Sequence, residues 1–409
     1  MNRRVVVTGI GITSPIGHTL DELADSLRDQ ITGVSVQEDG AEIDGLYTHL
    51  GAKADGADVD FPRKQVRGMG RVAKLALRAT LDAIEDAGLE PEDYTEGDCG
   101  VSYGSTQGSS NALVDFCSKI LEREGLIGVR PSSYIKFMSH TCAVNLATYL
   151  SVKGRVIPTC SACTSGSQGV GYGYEAIKFG RQDRMICGGA EELHYLHAGI
   201  FDLLRATSTT MNDEPERSPR PFDAGRDGLV VGEGSATLIL EELESARARG
   251  AEIYCEVLGY GTTCDGGHLT APDSKGMASA MRAALEDAEC NADDIDYINA
   301  HATATTIGDV RESRATHDVF GSDVTVSSTK GLTGHTLGAC GAIESLFCIS
   351  AMRDGFVPPN YNLDEVDPEC APLDYVSDGP REAELTTVMN NNFAFGGVNT
   401  SLIYRRMTE

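Results

Sequence analysis

The stretch 159–173, Thr-Cys-Ser-Ala-Cys-Thr-Ser-Gly-Ser-Gln-Gly-Val-Gly-Tyr-Gly, constrains this chain more than any other. A short apolar run, 155–158, precedes it, and Tyr174, Ala176, Ile177 and Phe179 follow at helical spacing. The pattern predicts a strand, a tight turn and a helix so poor in side-chain bulk that it must pack closely. A cysteine at such a turn lies at a helix N-terminus, where unpaired N–H groups and the helix dipole favour the thiolate and lower the pKa. Cys163 is thereby the candidate nucleophile. Two plainer readings compete: a small buried apolar group among twelve cysteines, or, with Cys160, a C-x-x-C redox or metal pair. Zinc would need a second such pair, which the sequence lacks, so no metal is expected.

With 409 residues and 41% apolar content, the chain can bury a large core divided among two or three domain-sized units. It has no uninterrupted apolar run of about 18 residues, so no membrane span is expected. Cysteines scattered from Cys99 to Cys370, in a chain too large to need disulfide staples, fit a reducing, cytoplasmic setting. A formal charge of −27 argues against nucleic acid and anionic lipid as partners. One window opposes that trend: between Asp60 and Asp82 there is no acid, but there are Arg63, Lys64, Arg67, Arg71, Lys74 and Arg78. Arg67, Arg71, Lys74 and Arg78 are expected on one helical stripe, either as a solvated face or as a positive footprint for an acidic partner.

Along the chain, 5–8 reads as a strand, and the following Gly-Ile-Gly-Ile-Thr-Ser imitates a dinucleotide fingerprint without its third glycine. A helix is expected over 72–87 and strands over 100–104, 185–190, 236–240, 295–299 and 324–327. Further helices are expected over 274–287, 309–320 and 335–354. This alternation is layered α/β. A charged segment ending near Arg249 suggests a boundary, giving units 1–250 and 251–409, the second opening with a strand near 253–260 and closing with 386–390 and 400–404. The long loop 202–234, rich in Gly, Pro and charge, is the kind that shapes a site.

Two histidines follow apolar strands in small-residue loops: His301, in Asn-Ala-His-Ala-Thr-Ala-Thr, and His335, in Ser-Ser-Thr-Lys-Gly-Leu-Thr-Gly-His. Strand-end loops are where α/β proteins place ligands. Together with Ser-Ala-Cys-Thr-Ser-Gly around Cys163 and Asn-Phe-Ala-Phe-Gly-Gly-Val-Asn at 392–399, they resemble the β-ketoacyl-(acyl carrier protein) synthases of the Cys-His-His group. The order and spacing of the motifs agree across nearly the whole chain.

The resemblance implies a thiolase-like fold, two similar halves forming a five-layered αβαβα sandwich, in a homodimer or a heterodimer with a related subunit. It implies acyl transfer to Cys163, then decarboxylative Claisen condensation with malonyl-(acyl carrier protein), in fatty-acid elongation. No cofactor is expected, because phosphopantetheine arrives on the acyl carrier protein. The chemistry fits the residues: a thiolate divides the reaction into two steps, and backbone N–H groups of Cys163 and Phe395 serve the oxyanion. Neutral His301 and His335 stabilise the enolate formed on decarboxylation, and Lys330 keeps a histidine uncharged and anchors its loop. Thr303 and Thr305, with Thr270, match positions that hold the pantetheine amides. Phe393 and Phe395 match the gating region, Gln107 lies where acyl length is often set, and Glu344 matches a buried structural glutamate. Arg63, Lys64, Arg67 and Arg71 become the expected docking site for the acidic carrier protein.

Some positions depart from the family pattern. Ala302 and Thr306 replace residues that are commonly Gly and Pro, Ala394 replaces a glycine between the two phenylalanines and should stiffen the gate, and the Gln107 segment is polar. Alternatives are a ketosynthase of a specialised type II polyketide or polyene-like pathway, and a non-elongating chain-length partner subunit. Intact Cys163, His301 and His335 oppose the latter, and Thr-Gly-His335 opposes Cys-His-Cys and Cys-His-Asn chemistries.

Overall fold

Ten strands fall into two sets of five with the same connectivity. In the computed structural model, which describes residues 2–54 and 61–407, the first set is β1 (Val5–Thr13), β2 (Cys99–Gly104), β3 (Val156–Thr159), β4 (Arg184–Glu191) and β5 (Gly234–Glu242). The second is β6 (Cys255–Cys264), β7 (Tyr297–Asn299), β8 (Thr325–Ser327), β9 (Thr387–Ala394) and β10 (Val398–Arg405). In space the sets run β3-β2-β4-β5-β1 and β8-β7-β9-β10-β6. In each, three parallel neighbours are followed by two antiparallel pairings. The first strands of the two sets pair antiparallel, Val5–Val7 with Val257–Cys255. A two-residue strand, Asp374–Tyr375, adds to the outer edge beside β8, so hydrogen bonding runs through eleven strands.

Five helices build the layers: α1 (Arg71–Asp86), α2 (Ser165–Lys178), α3 (Ser274–Asp287), α4 (Thr306–Phe320) and α5 (Cys340–Asp354). Helix α1 covers β1 and β5 on one outer side, and α3 covers β6 and β10 on the other. Between the sheets, α2 packs on β2 and β4, α5 packs on β9, and the two helices pack on each other. The result is the five-layered αβαβα arrangement of two similar halves. Helix α1 is amphipathic, burying Val72, Leu75, Ala76, Ala79 and Ala83, whereas α2 and α5 are buried on almost every side. Their shared core draws Val170, Tyr174 and Ile177 together with Ile343, Leu346 and Phe347.

The glycines of the imitation dinucleotide fingerprint seat a helix. They lie inside β1, where a Cβ on Gly9 or Gly11 would stand 2.4 or 2.0 Å from the carbonyl oxygens of Ala83 or Ala79 in α1. Gly259 and Gly261 in β6 repeat the arrangement, 2.5 and 2.1 Å from the carbonyl oxygens of Ala284 and Ala280 in α3. The internal repeat, too weak to read along the chain, is therefore visible in its packing. Two expectations need correction. The helix expected from residue 335 begins only at Cys340, because Gly334 and Leu337 hold φ of +61° and +46°, outside the helical region. The expected basic stripe is not one helical face, because α1 starts at Arg71 and leaves Arg67 in the preceding turn. Among the described residues, no helix is long and apolar enough to cross a membrane.

Candidate active site

Cys163 occupies the turn between β3 and α2, and the turn is built to hold it. Ala162 takes φ +50°, an unusual conformation for a residue with a Cβ. Thr159 Oγ1 donates to the Ser165 carbonyl at 2.8 Å, Ser161 N–H to Ser165 Oγ at 2.9 Å, and Thr164 Oγ1 to the Ser161 carbonyl at 2.8 Å. The start of α5 abuts the start of α2, with glycines where the backbones meet. A Cβ on Gly166 would lie 2.9 Å from the Gly338 carbonyl oxygen, and one on Gly341 2.6 Å from Ser167 N. That approach carries the loop before α5 onto the cysteine, and His335 Nε2 stands 3.0 Å from Cys163 Sγ.

His301 follows β7, and its ring meets that of His335 edge-on at 5.0 Å between centroids. The Cys163 sulfur and one nitrogen from each imidazole all lie within 4.8 Å of one another. Glu312 of α4 fixes the His301 loop, accepting the backbone N–H of His301 at 2.7 Å and of Ala302 at 2.6 Å. Lys330 is buried in an ion pair with Glu344 of α5. Glu344 also accepts Asn392 Nδ2 at 2.7 Å, so this pair ties the His335 loop to β9.

Electrostatics here are governed by burial. It pushes the Cys163 thiol up to about 12, against the opposing pull of Lys330 and of the backbone N–H groups of Cys163 and Phe395. The thiolate expected from the helix N-terminus is therefore not the resting form, although both N–H groups do point at the sulfur. Burial, reinforced by Lys330, holds His301 and His335 well below the usual imidazole range, so both are neutral. Burial also works against the Lys330 ammonium, but its ion pair and hydrogen bond with Glu344 outweigh it and keep Lys330 charged. Glu312 is pushed up to about 8 and Asp309 to about 6, in both cases chiefly by burial.

A cavity of about 510 Å³ opens above the cluster, lined by Cys163, His301, His335, Thr303, Thr305 and Thr270, with Phe393 and Phe395. Thr303 and Thr305 hydroxyls bond to each other at 3.1 Å. Phe393 is buried with its ring 6.2 Å from His301. Phe395 lies beyond it at the β9–β10 turn, 37% exposed and 5.4 Å from the Phe201 ring. Gln107 is not among the cavity residues; its amide bonds to His197 at 2.7 Å and Ser110 at 2.8 Å. A separate basic hollow on the surface is lined by Arg63, Arg67, Lys74, Lys119, Arg130 and Lys136. Lys64 is exposed beside it without lining it. Arg71 is committed elsewhere, bonded through Nε and Nη2 to the buried Glu233 at 2.7 and 2.6 Å, and so falls out of the expected docking set.

Two sequence models of one family match the chain, "Beta-ketoacyl synthase, N-terminal domain" over residues 2–246 and "Beta-ketoacyl synthase, C-terminal domain" over 254–364. The chain belongs to the β-ketoacyl synthase family. Within that family it is 36% identical, over 99% of both chains, to 3-oxoacyl-[acyl-carrier-protein] synthase 1 of Haemophilus influenzae. A crystal structure of a β-ketoacyl synthase from Burkholderia phymatum superposes with a TM-score of 0.96 at 48% identity, covering 99% of this chain and 100% of that one. A ketosynthase bound to a hexaketide, in complex with its type II polyketide synthase acyl carrier protein, gives a TM-score of 0.91 at 29% identity over 100% of both chains.

Several residues of this β-ketoacyl synthase site went unread in the sequence. Glu312 and Asp309 lie three apart on the inward face of α4, and in sequence they look like ordinary helix-surface charges. Arg226 donates to the carbonyls of Thr305 and Thr306 at 3.2 and 2.8 Å and to Asp367 at 2.6 Å, fastening the threonine loop from behind. Glu191 accepts from the backbone of Thr106 and Gly338 at 3.0 and 3.1 Å. Its signal was available: the acidic doublet Glu191-Glu192 ends the run of apolar and glycine residues 185–190.

Proposed function

We propose that the chain is a 3-oxoacyl-[acyl carrier protein] synthase of fatty-acid elongation, with Cys163 as nucleophile. One observation carries this reading: a buried thiol at the floor of a cavity, faced at once by a neutral imidazole and two backbone N–H groups. In the first half-reaction Sγ attacks the thioester of an acyl-phosphopantetheine. His335 Nε2 takes the thiol proton as the new carbon–sulfur bond forms and gives it to the departing pantetheine thiolate. The N–H groups of Cys163 and Phe395 receive the oxyanion.

In the second half-reaction a malonyl thioester loses carbon dioxide. His301 and His335, now as N–H donors, hold the thioester oxygen while the enolate forms, and its carbanion displaces Cys163 from the acyl chain. Neutral imidazoles suit this task because a proton stays on each ring. Lys330 keeps them neutral, and no resident cofactor takes part. Thr303, Thr305 and Thr270 hold the pantetheine arm, while the hollow around Arg63 and Arg67, with Lys64 beside it, receives the acidic carrier protein. The uncovered edge strand β3, where Val156 is 39% exposed, supports a homodimer built by pairing two such edges. Soluble, cytoplasmic work follows from this substrate set, and the two units 1–250 and 251–409 supply the nucleophile and the histidines respectively.

Intact mass after incubation with acyl-carrier thioesters of several lengths tests the reading. An acyl adduct absent from Cys163→Ala is expected, and the preferred length separates general elongation from a polyketide-like pathway. If no chain loads, the partner-subunit reading replaces this one.

A further inference from the structure

We propose that Cys163, His301 and His335 also form an inhibitory binding site for a soft divalent cation, zinc being the best match, open in the protein before an acyl chain is loaded. One thiol and two imidazoles are the donor set that zinc and cobalt select over magnesium or calcium. Their ligand atoms lie within 4.8 Å of one another, with sulfur and nitrogen 3.0 Å apart on the His335 side. A tetrahedral zinc with bonds of about 2.0–2.3 Å needs ligand atoms about 3.3–3.7 Å apart. The cluster reaches that shape by small side-chain shifts, leaving the cavity as the fourth position.

Binding displaces one proton, from the thiol: the step is Zn²⁺ plus R–SH giving Zn–SR⁺ plus H⁺. The ammonium of Lys330 is matched by Glu344. A neighbouring set, His301, Cys340 and Glu344, is equally compact but already engaged. Glu344 holds Lys330 and Asn392, and the Cys340 thiol donates to the Cys163 carbonyl at 3.2 Å.

The surroundings also set the strength. In resident zinc sites the second nitrogen of each histidine donates to an acceptor, and losing such a partner costs about 10–100-fold in affinity. Among the described residues, Nδ1 of both His301 and His335 is buried with no hydrogen-bond partner. The site is therefore a reversible, inhibitory one, and an acylated Cys163, having no thiolate to offer, excludes the metal. The metal binding rests on the cluster itself and is tested independently of condensation; that it inhibits rests on the function proposed above.

Cobalt(II) titration of the purified protein without oxygen tests it, reading thiolate-to-cobalt charge transfer in the near ultraviolet together with proton release. The expected result is a band saturating at one metal per chain, with one proton released and displacement by zinc. The band should vanish in Cys163→Ser, weaken by about tenfold or more in His335→Ala, and persist in Cys160→Ser and Cys340→Ser. Because Cys163→Ser could misfold, the same titration is run on folded Cys160→Ser protein alkylated at Cys163 with iodoacetamide, where no band is expected. Absence of a thiolate band at saturating cobalt overturns the proposal. So does a band that survives alkylation of Cys163 or disappears in Cys340→Ser.

Discussion

At Cys163 two effects compete, and burial wins: the helix start and two N–H groups favour the thiolate, yet loss of water costs it more, leaving the thiol pushed up to about 12. Alkylation of Cys163 by iodoacetamide should therefore accelerate about tenfold per pH unit from pH 7 to 9; a plateau in that range would show a thiolate already formed. Glu312 shows the same physics in a carboxylate. Its folded pKa of about 8 lies above the ordinary value of 4.5, so across that window the folded state keeps a proton that the unfolded state releases. Stability must then fall as pH rises through the window. The urea midpoint should drop between pH 5 and pH 8 in the native protein and change less in Glu312→Gln; equal slopes would refute the assignment.

Elements are held in place here by backbone contact rather than by bulky side chains. Strands β1 and β6 each use two glycines to let an outer helix touch the sheet, and α2 and α5 use Gly166 and Gly341 to bring their starts together. Overpacking such a contact costs about 1–3 kcal/mol when the neighbours can shift. Gly11→Ala, whose Cβ would stand 2.0 Å from the Ala79 carbonyl oxygen, is expected at the upper end of that range or beyond, read as a loss in urea midpoint. Gly267→Ala, where a Cβ meets nothing within 4 Å among the described residues, should leave the midpoint unchanged. The β9–β10 turn shows what an element adds to a motif: Gly396 and Gly397 take φ of +87° and +72°, turning the chain so that Phe395 lies over the cavity.

Over the whole molecule, a charge of −27 makes the basic hollow around Arg63 and Arg67 the exception on an acidic surface. It draws on two separated segments, 63–74 and 115–136, with six cations against the single acid Asp115, and so concentrates positive charge that neither segment holds alone. Arg67→Glu should raise the KM for carrier-bound substrate about tenfold or more, with the effect shrinking as salt rises, and leave use of a small thioester unchanged. Equal losses with both substrates would mean a folding defect instead. Sedimentation should give a dimer, and Val156→Asp on the edge strand a monomer. A native monomer would remove β3 from the interface.

The amino-acid order was enough to place the alternation of strands and helices, the nucleophile turn and both histidine loops. Each rests on local signals: apolar runs, small residues and turn chemistry within about ten positions of one another. It also carried the family, through four motifs in fixed order. Tertiary structure alone decided which charges work together and what state they adopt. Arg71 read as a surface cation until Glu233, 162 positions away, closed on it. Glu312 carried no signal that set it apart from other helix acids, and only the packing of α4 brought it inward beneath His301. The Cys163 thiol looked activated until its burial was known. Charge pairing and desolvation depend on groups brought from distant parts of the chain, and neither leaves a periodic trace in the sequence.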